Sequence, residues 1–531
     1  MKKKDLLPII LIFALFLAYP TIDRKVITKI FPPKAKPAPA AVEKAEAPEI
    51  PADTALSSPE ETTAPAAETT EASPAQAATE EPAAEEEKIP EVLTTLANPH
   101  LELTLSSHGA GIVRAAILGY PSAKGSDTPV TFDFSDRPAA APAGYPGLGK
   151  LSAFEVVAAS DASVTYRKNL ADGLVLTRSL ALGDGFQLTI ADKVENTSAA
   201  PVALHDYGLQ AGYMEDLTGE TQGQQGGPLL GVDTLTGSEA VKYWGGKLTD
   251  WFPVGGETKS TVVPGADDKP APVDWVAVKN KYFTQILTPA DSAERCLVDA
   301  AHGAPVHSSF LFLFPRTSYP IGRVTARIEM PDYTLPPGQT LTQDATFYIG
   351  PKLYAELKTN GPHQEDVLQL GFWRPIGILI LKIMVWIHDH IWPYNYGLAI
   401  ILLTFLIRIV FWPLNHKSMV STRHMQEIQP LITAVREKYK DNAQKQQQEM
   451  MALYKEHKIN PMGGCLPMLI QIPVFFALFV VLRGAIELRF SSFLWIADLS
   501  TPENLFKNVL PFGLNILPLF MGVTMWLQQK M

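Results

Sequence analysis

One arginine, Arg408, lies inside the apolar run YGLAIILLTFLIRIVFWPL, residues 396–414. Built as a helix, that run is long enough to cross a bilayer, and Arg408 falls roughly 18 Å from Tyr396 and roughly 9 Å from Leu414. A charge at that depth costs about 3 kcal/mol or more unless it is hydrated or paired. Thr404 stands one helical turn earlier, so the two make a polar stripe on an otherwise apolar helix. Two uses fit such a stripe: a side chain that snorkels to the nearer interface, or a charge that lines a water-filled cavity.

Two further apolar runs carry polar residues that can face the stripe. Residues 466–482 hold Gln471, and residues 509–528 hold Asn515, Thr524 and Gln528; of these, Gln471, Thr524 and Gln528 can face it. Intramembrane Thr and Gln more often bond between helices, but beside an unpaired arginine they make a polar groove the better reading. Elsewhere the chain offers little chemistry. It has no G-x-S-x-G, H-E-x-x-H, P-loop or calcium-loop pattern. Asp267 with Asp268, and Glu215 with Asp216, read as solvated loops. His388 and His390 are two residues apart and do not share a helix face, which argues against a metal site. Cys296 and Cys465 give neither a disulfide framework nor zinc spacing. No cofactor is expected.

The elements that position these residues follow from composition. With 531 residues, 46% of them hydrophobic, and mean hydropathy +0.05, the chain is too long for one domain and too polar to be spans throughout. Its net charge of -10 resides in residues 32–98, which hold 14 acidic residues against 4 lysines. That Pro/Ala/Glu segment reads as a disordered tether, since it cannot bury enough apolar area to offset its chain entropy. Before it, residues 1–31 start with MKKKD and an apolar core at 6–20 without a small-residue cleavage pattern. An uncleaved signal anchor with a cytoplasmic amino terminus is expected. Residues 99–358 alternate apolar and polar positions, as in LVLTRSLAL (174–182) and FQLTIADKVEN (186–196), which predicts a large antiparallel β-sandwich.

Residues 359–395 include WRPIGILILKIMVWIHDHIW, interrupted by Lys382 and closed by His388, Asp389 and His390. Counting it as a span would put the basic loop 415–461, with 8 Lys and Arg, outside, and leave the loop 483–508, with 3, inside. The positive-inside tendency therefore favours an interfacial amphipathic helix anchored by Trp373, Trp386 and Trp392. The expected class is an α+β membrane protein. After the anchor and periplasmic sandwich comes a helical core, residues 396–531, with spans 396–414, 466–482 and 509–528. Residues 416–458 form a cytoplasmic helical hairpin in two stretches, 416–439 and 442–458, with Pro430 kinking the first and Asp441 capping the second.

On TFLIRIVFWPLNHKSM (404–419), EMMALYKEHKINPMGGCLPMLIQIPVFFALF (449–479) and NILPLFMGVTMWLQQKM (515–531), the chain resembles the YidC-type membrane protein insertases. VDWVAVKNKYF (273–283) and YIGPKLY (348–354) extend the resemblance more loosely into the sandwich. The resemblance implies a bacterial inner-membrane insertase and chaperone without a cofactor or nucleotide. Its groove would open to cytosol and lipid, with Arg408 at the family's groove-arginine position and Thr404, Gln471, Phe475 and Thr524 on the spans lining it. Nascent membrane proteins, the ribosome, the Sec translocon and lipid are the implied partners, with no direct DNA binding, and residues 21–395 are mainly periplasmic. The family continues with two more spans, so a chain ending at Met531 is expected to be truncated. Two other readings are weaker. The sandwich resembles sugar-binding folds but has no convergent catalytic groups, and a transporter would show repeated halves and broken helices.

Overall fold

The computed structural model describes residues 90–217, 230–237, 240–243, 259–263, 272–302, 306–310, 314–318, 321–440, 442–457, 466–503, 505 and 515–530. The expected anchor at 6–20, most of the tether, Asp267, Asp268 and Cys465 lie outside them.

Period-two sequence becomes period-two burial. Along strand Gln187–Asn196, Leu188, Ile190, Asp192, Val194 and Asn196 are buried, while Thr189, Lys193 and Glu195 are exposed. Strand Leu174–Leu182 pairs with it antiparallel along its length, from Leu174 opposite Asn196 to Leu182 opposite Leu188. These two sit within a nine-stranded sheet that also holds strands Thr340–Pro351, Phe283–Pro289 and Val273–Lys279. A six-stranded sheet and a four-stranded sheet pack against it. Between the layers lies an apolar core with Trp275, Phe283 and Phe347 fully buried. The β-sandwich is as expected, but its first strand, Leu93–Ala97, falls within the segment assigned to the tether. Leu96 is buried there and the strand pairs with Leu101–Ser106. The short apolar alternation of LTTLA was diluted by the Pro/Ala/Glu composition before it.

Seven helices follow among the described residues. Helix α1 (Tyr354–Asn360) and the 3-10 turn Gln364–Leu368 lead to α2 (Arg374–His390). Polar bonds fasten this passage to the sandwich: Trp275 Nε1 donates to Pro362 O at 2.9 Å, and Lys279 Nζ donates to Val367 O at 3.0 Å. Arg374 joins Glu365 at 2.6 Å and Asp366 at 2.9 Å across the start of α2.

Helix α3 (Tyr396–Glu427) is one continuous helix through Pro413, so the expected span 396–414 and much of the first hairpin stretch are a single element. It gives way at Ile428 to α4 (Gln429–Lys438), with Pro430 in the first turn, where its missing N–H costs no helical bond. Helix α5 (Ala443–Glu456) pairs with α4. Its cap is Asn442, whose side chain accepts from Lys445 N at 3.0 Å; Asp441, the expected cap, lies outside the described residues. The helix begins one residue later than Asp441 capping requires. Helices α6 (Leu466–Gly484) and α7 (Ile516–Lys530) are the last two among the described residues.

Candidate functional site

The helical core is built where α2, α3 and α6 meet. Ile380, Leu381, Met384 and Ile387 of α2 close on Ala399 and Leu403 of α3 and on Ala477 and Val481 of α6. The alanines let the backbones approach. Asn395 starts α3 by accepting from Gly397 N at 2.9 Å and Leu398 N at 3.3 Å. Burial on α3 ends soon afterwards: Phe405, Leu406, Ile409, Val410 and Trp412 are exposed.

Arg408 lies in that bare stretch and is itself exposed. Thr404 is half-buried one turn earlier, and its hydroxyl donates to Ile401 O at 2.8 Å within the helix. On α6, Gln471 is exposed and Phe475 is 61% exposed. On α7, Thr524 is exposed and donates to Met521 O at 2.8 Å. The side chain of Gln528, on the same helix, lies outside the described residues. Among the described residues no hydrogen bond or ion pair joins these candidates to one another. Arg408, Gln471, Phe475 and Thr524 are exposed on apolar helices, and Arg408 is the charged one among them. Such a cation attracts acidic groups over a distance that grows as the surrounding dielectric falls.

The other candidates stay apart. His388 pairs with Asp389 at 2.8 Å and stacks on Tyr396, whereas His390 bonds to Trp386 O at 2.9 Å and stacks on that indole. Among the described residues no group of three or more potential ligands converges on a metal position. Cys296 is free, and burial pushes its thiol far up, leaving it a small hydrophobe.

A joint between the sandwich and the helices escaped the sequence reading. After α6, Ile486 enters the sandwich core. Arg489 donates to Pro121 O at 2.9 Å and to Ser122 O at 3.4 Å, with Tyr282, Phe283 and Phe490 around its guanidinium. Lys281 Nζ reaches Ser500 O at 2.9 Å, and Lys124 Nζ reaches Ala497 O. Burial lowers the Arg489 pKa and raises that of the Glu487 carboxyl. In the sequence this loop showed only its sparse charge.

Residues 93–387, more than half of the chain, match the family described as YidC periplasmic domain, and residues 386–531 match the 60Kd inner membrane protein family. The chain belongs to the YidC family. A YidC relative named membrane protein insertase YidC, from Pelobacter propionicus, is 45% identical over 213 residues, covering 40% of this chain and 39% of the relative. One of the same name from Geotalea daltonii is 29% identical over 371 residues, 70% of this chain and 61% of the relative. The matched part is thus less than two thirds of these YidC proteins' own length. In YidC terms the sandwich is the periplasmic domain and the helices from α3 onward belong to the inner-membrane domain. Among solved structures, a galactose mutarotase related enzyme from Lactobacillus acidophilus aligns at 12% identity and TM-score 0.32, over 49% of this chain and 97% of that one. A galactose mutarotase-like protein from Lactobacillus casei aligns at 11% and 0.26, over 49% and 100%. Neither value carries an argument about activity.

Proposed function

We propose that the protein is a non-catalytic membrane protein insertase and chaperone that works through a hydrated groove carrying Arg408, with no nucleotide or other cofactor. The observation that carries this reading is the exposed guanidinium on the apolar helix α3, in a chain of the YidC family. A hydrated groove shortens the hydrophobic distance that a polar flank of a nascent chain must cross. Arg408 transiently attracts acidic groups in that flank, Thr404, Gln471, Thr524 and Gln528 offer hydrogen bonds, and Phe475 offers an apolar edge. The client's apolar segment then partitions into lipid, and that partition drives the reaction.

In this reading the amino-terminal anchor starts in the cytoplasm, residues 21–395 are mainly periplasmic, and α2 lies along the interface. Residues 396–414, 466–482 and 509–528 span the inner membrane. The bonds from Arg489, Lys281 and Lys124 support it, because they require the loop after α6 and the sandwich to share one side. The hairpin of α4 and α5 then projects into the cytosol, where its Lys- and Gln-rich surface meets nascent chains and the ribosome. The Sec translocon is a further partner. Proteoliposomes carrying the full-length protein are expected to insert a small single-span protein that empty liposomes leave accessible to protease. Equal insertion by both would refute the reading.

A further inference from the structure

Within the loop after α6, Phe493 and Ile496 exchange two backbone hydrogen bonds, at 3.0 Å and 2.9 Å, so Leu494 and Trp495 form a two-residue tip. Leu494 has φ 52, a left-handed conformation that Gly or Asn takes at much lower cost than leucine. Yet Leu494 is 40% exposed and Trp495 is 52% exposed. Two large apolar side chains on a strained tip gain nothing in water, whereas Trp and Leu gain at a bilayer interface.

The tip is held at one height. Asn395, the residue that caps α3, donates through Nδ2 to Ser492 O at 2.9 Å. The Phe493 ring lies on Gly397, so closely that a Cβ there would come within 2.2 Å of it. The tip therefore sits where the apolar run of α3 begins, and Trp392 and Tyr394, just before that run in the chain, are also exposed. Asp498 closes the base of the loop by accepting from Phe490 N at 3.0 Å, Ser500 N at 2.9 Å and Ser500 Oγ at 2.7 Å.

We infer that the Leu494–Trp495 tip is a lipid-interface anchor, seated in the headgroup and upper acyl layer on the sandwich side of the membrane. Through Arg489, Lys124 and Lys281 it sets the height of the periplasmic domain above that layer. The inference rests on the reading of 396–414 as a span. In full-length protein with Cys296→Ala and Cys465→Ser, an environment-sensitive fluorophore is attached to Trp495→Cys, Leu406→Cys or Ser160→Cys, and each is reconstituted in vesicles. Doxyl lipids labelled near the headgroup or deep in the acyl chain, and aqueous iodide, are the quenchers.

At position 495 the expected result is blue-shifted emission that loses intensity most to the shallow doxyl lipid, with Ser160→Cys answering to iodide alone. Iodide quenching at 495 equal to that at 160 would overturn the anchor, as would protection from every quencher, which signifies packing against protein. Deep doxyl quenching at 406 together with either of those results refutes the anchor alone. Loss of deep quenching at 406 refutes the span and the anchor with it.

Discussion

Arg489 Nη1 lies 2.9 Å from the carbonyl oxygen of Pro121, so a residue just beyond α6 closes onto the end of a sandwich strand 368 positions away. The guanidinium is half-buried among the rings of Tyr282, Phe283 and Phe490, and it also donates to Ser122 O at 3.4 Å. Arg489→Ala is expected to weaken the joint by about 1.5–3 kcal/mol, the range for hydrogen bonds to charged groups. Hydrogen exchange should rise in residues 485–500 and around 121–124 while the sandwich core stays protected. Arg489→Lys should recover part of the protection, since an ammonium reaches one carbonyl but loses the planar stacking.

Arg408 allows charge to be separated from side-chain geometry. Arg408→Lys is expected to keep much of the insertion activity, because either cation attracts an acidic flank. Arg408→Ala should impair clients with acidic flanks most, and Arg408→Glu should impair them further through repulsion. Insertion measured with flanks carrying zero, one or two acidic residues, at matched expression, checks this. Identical behaviour of Ala and Glu variants with every client would sink the electrostatic role.

The proposed span assignment and the positive-inside tendency fix a topology that can be tested. A tag near residue 440 should be cytoplasmic and one near residue 200 periplasmic. Protease protection in spheroplasts and inverted vesicles reads the two directly, and both tags on one side would overturn the span assignment.

The hairpin gives a local test. Asn442→Ala removes the cap of α5 and should cost about 1 kcal/mol of its stability, while Asn442→Asp should retain it. The readout is amide exchange in residues 443–456. Deleting 416–458 from the full-length protein should leave the sandwich folded but lower insertion; unchanged insertion at equal expression would count against client recruitment by the hairpin.

In the sandwich core, Arg178 and Asp192 face each other across adjacent strands and bond at 2.8 Å with both side chains buried. Asp192→Ala alone removes the guanidinium's partner altogether and should destabilise the domain by about 3–5 kcal/mol, whereas Arg178→Met with Asp192→Leu should be close to neutral or stabilising. Burial pushes the Asp192 carboxyl up from 3.8 to about 6, against the opposing pull of Arg178. The folded state then holds this proton more tightly than the unfolded state, so the carboxyl's contribution is fully present below about pH 4 and is lost as pH rises through about 6. Denaturation from pH 4 to pH 7 should show wild type losing stability relative to the double variant over that window, then running parallel to it.

Some of this protein was written in its sequence because the cause is local. Alternating side chains fixed the strands Leu174–Leu182 and Gln187–Asn196, since a strand with one buried face must alternate whatever it pairs with. The apolar runs of α3, α6 and α7 were visible for the same reason, and Arg408 and Thr404 stood out against them. Local chemistry was less decisive at edges: strand Leu93–Ala97 was hidden by its acidic neighbours, and whether Asp441 or Asn442 caps α5 depended on where the helix first closes a turn. Tertiary structure alone decided that Asp192 would meet Arg178, that Arg489 would reach Pro121, and that Phe493 would settle on Gly397. Each of those contacts joins residues distant in the chain, and nothing in the spacing of residues along a chain records which distant carbonyl or ring will fill the space beside them.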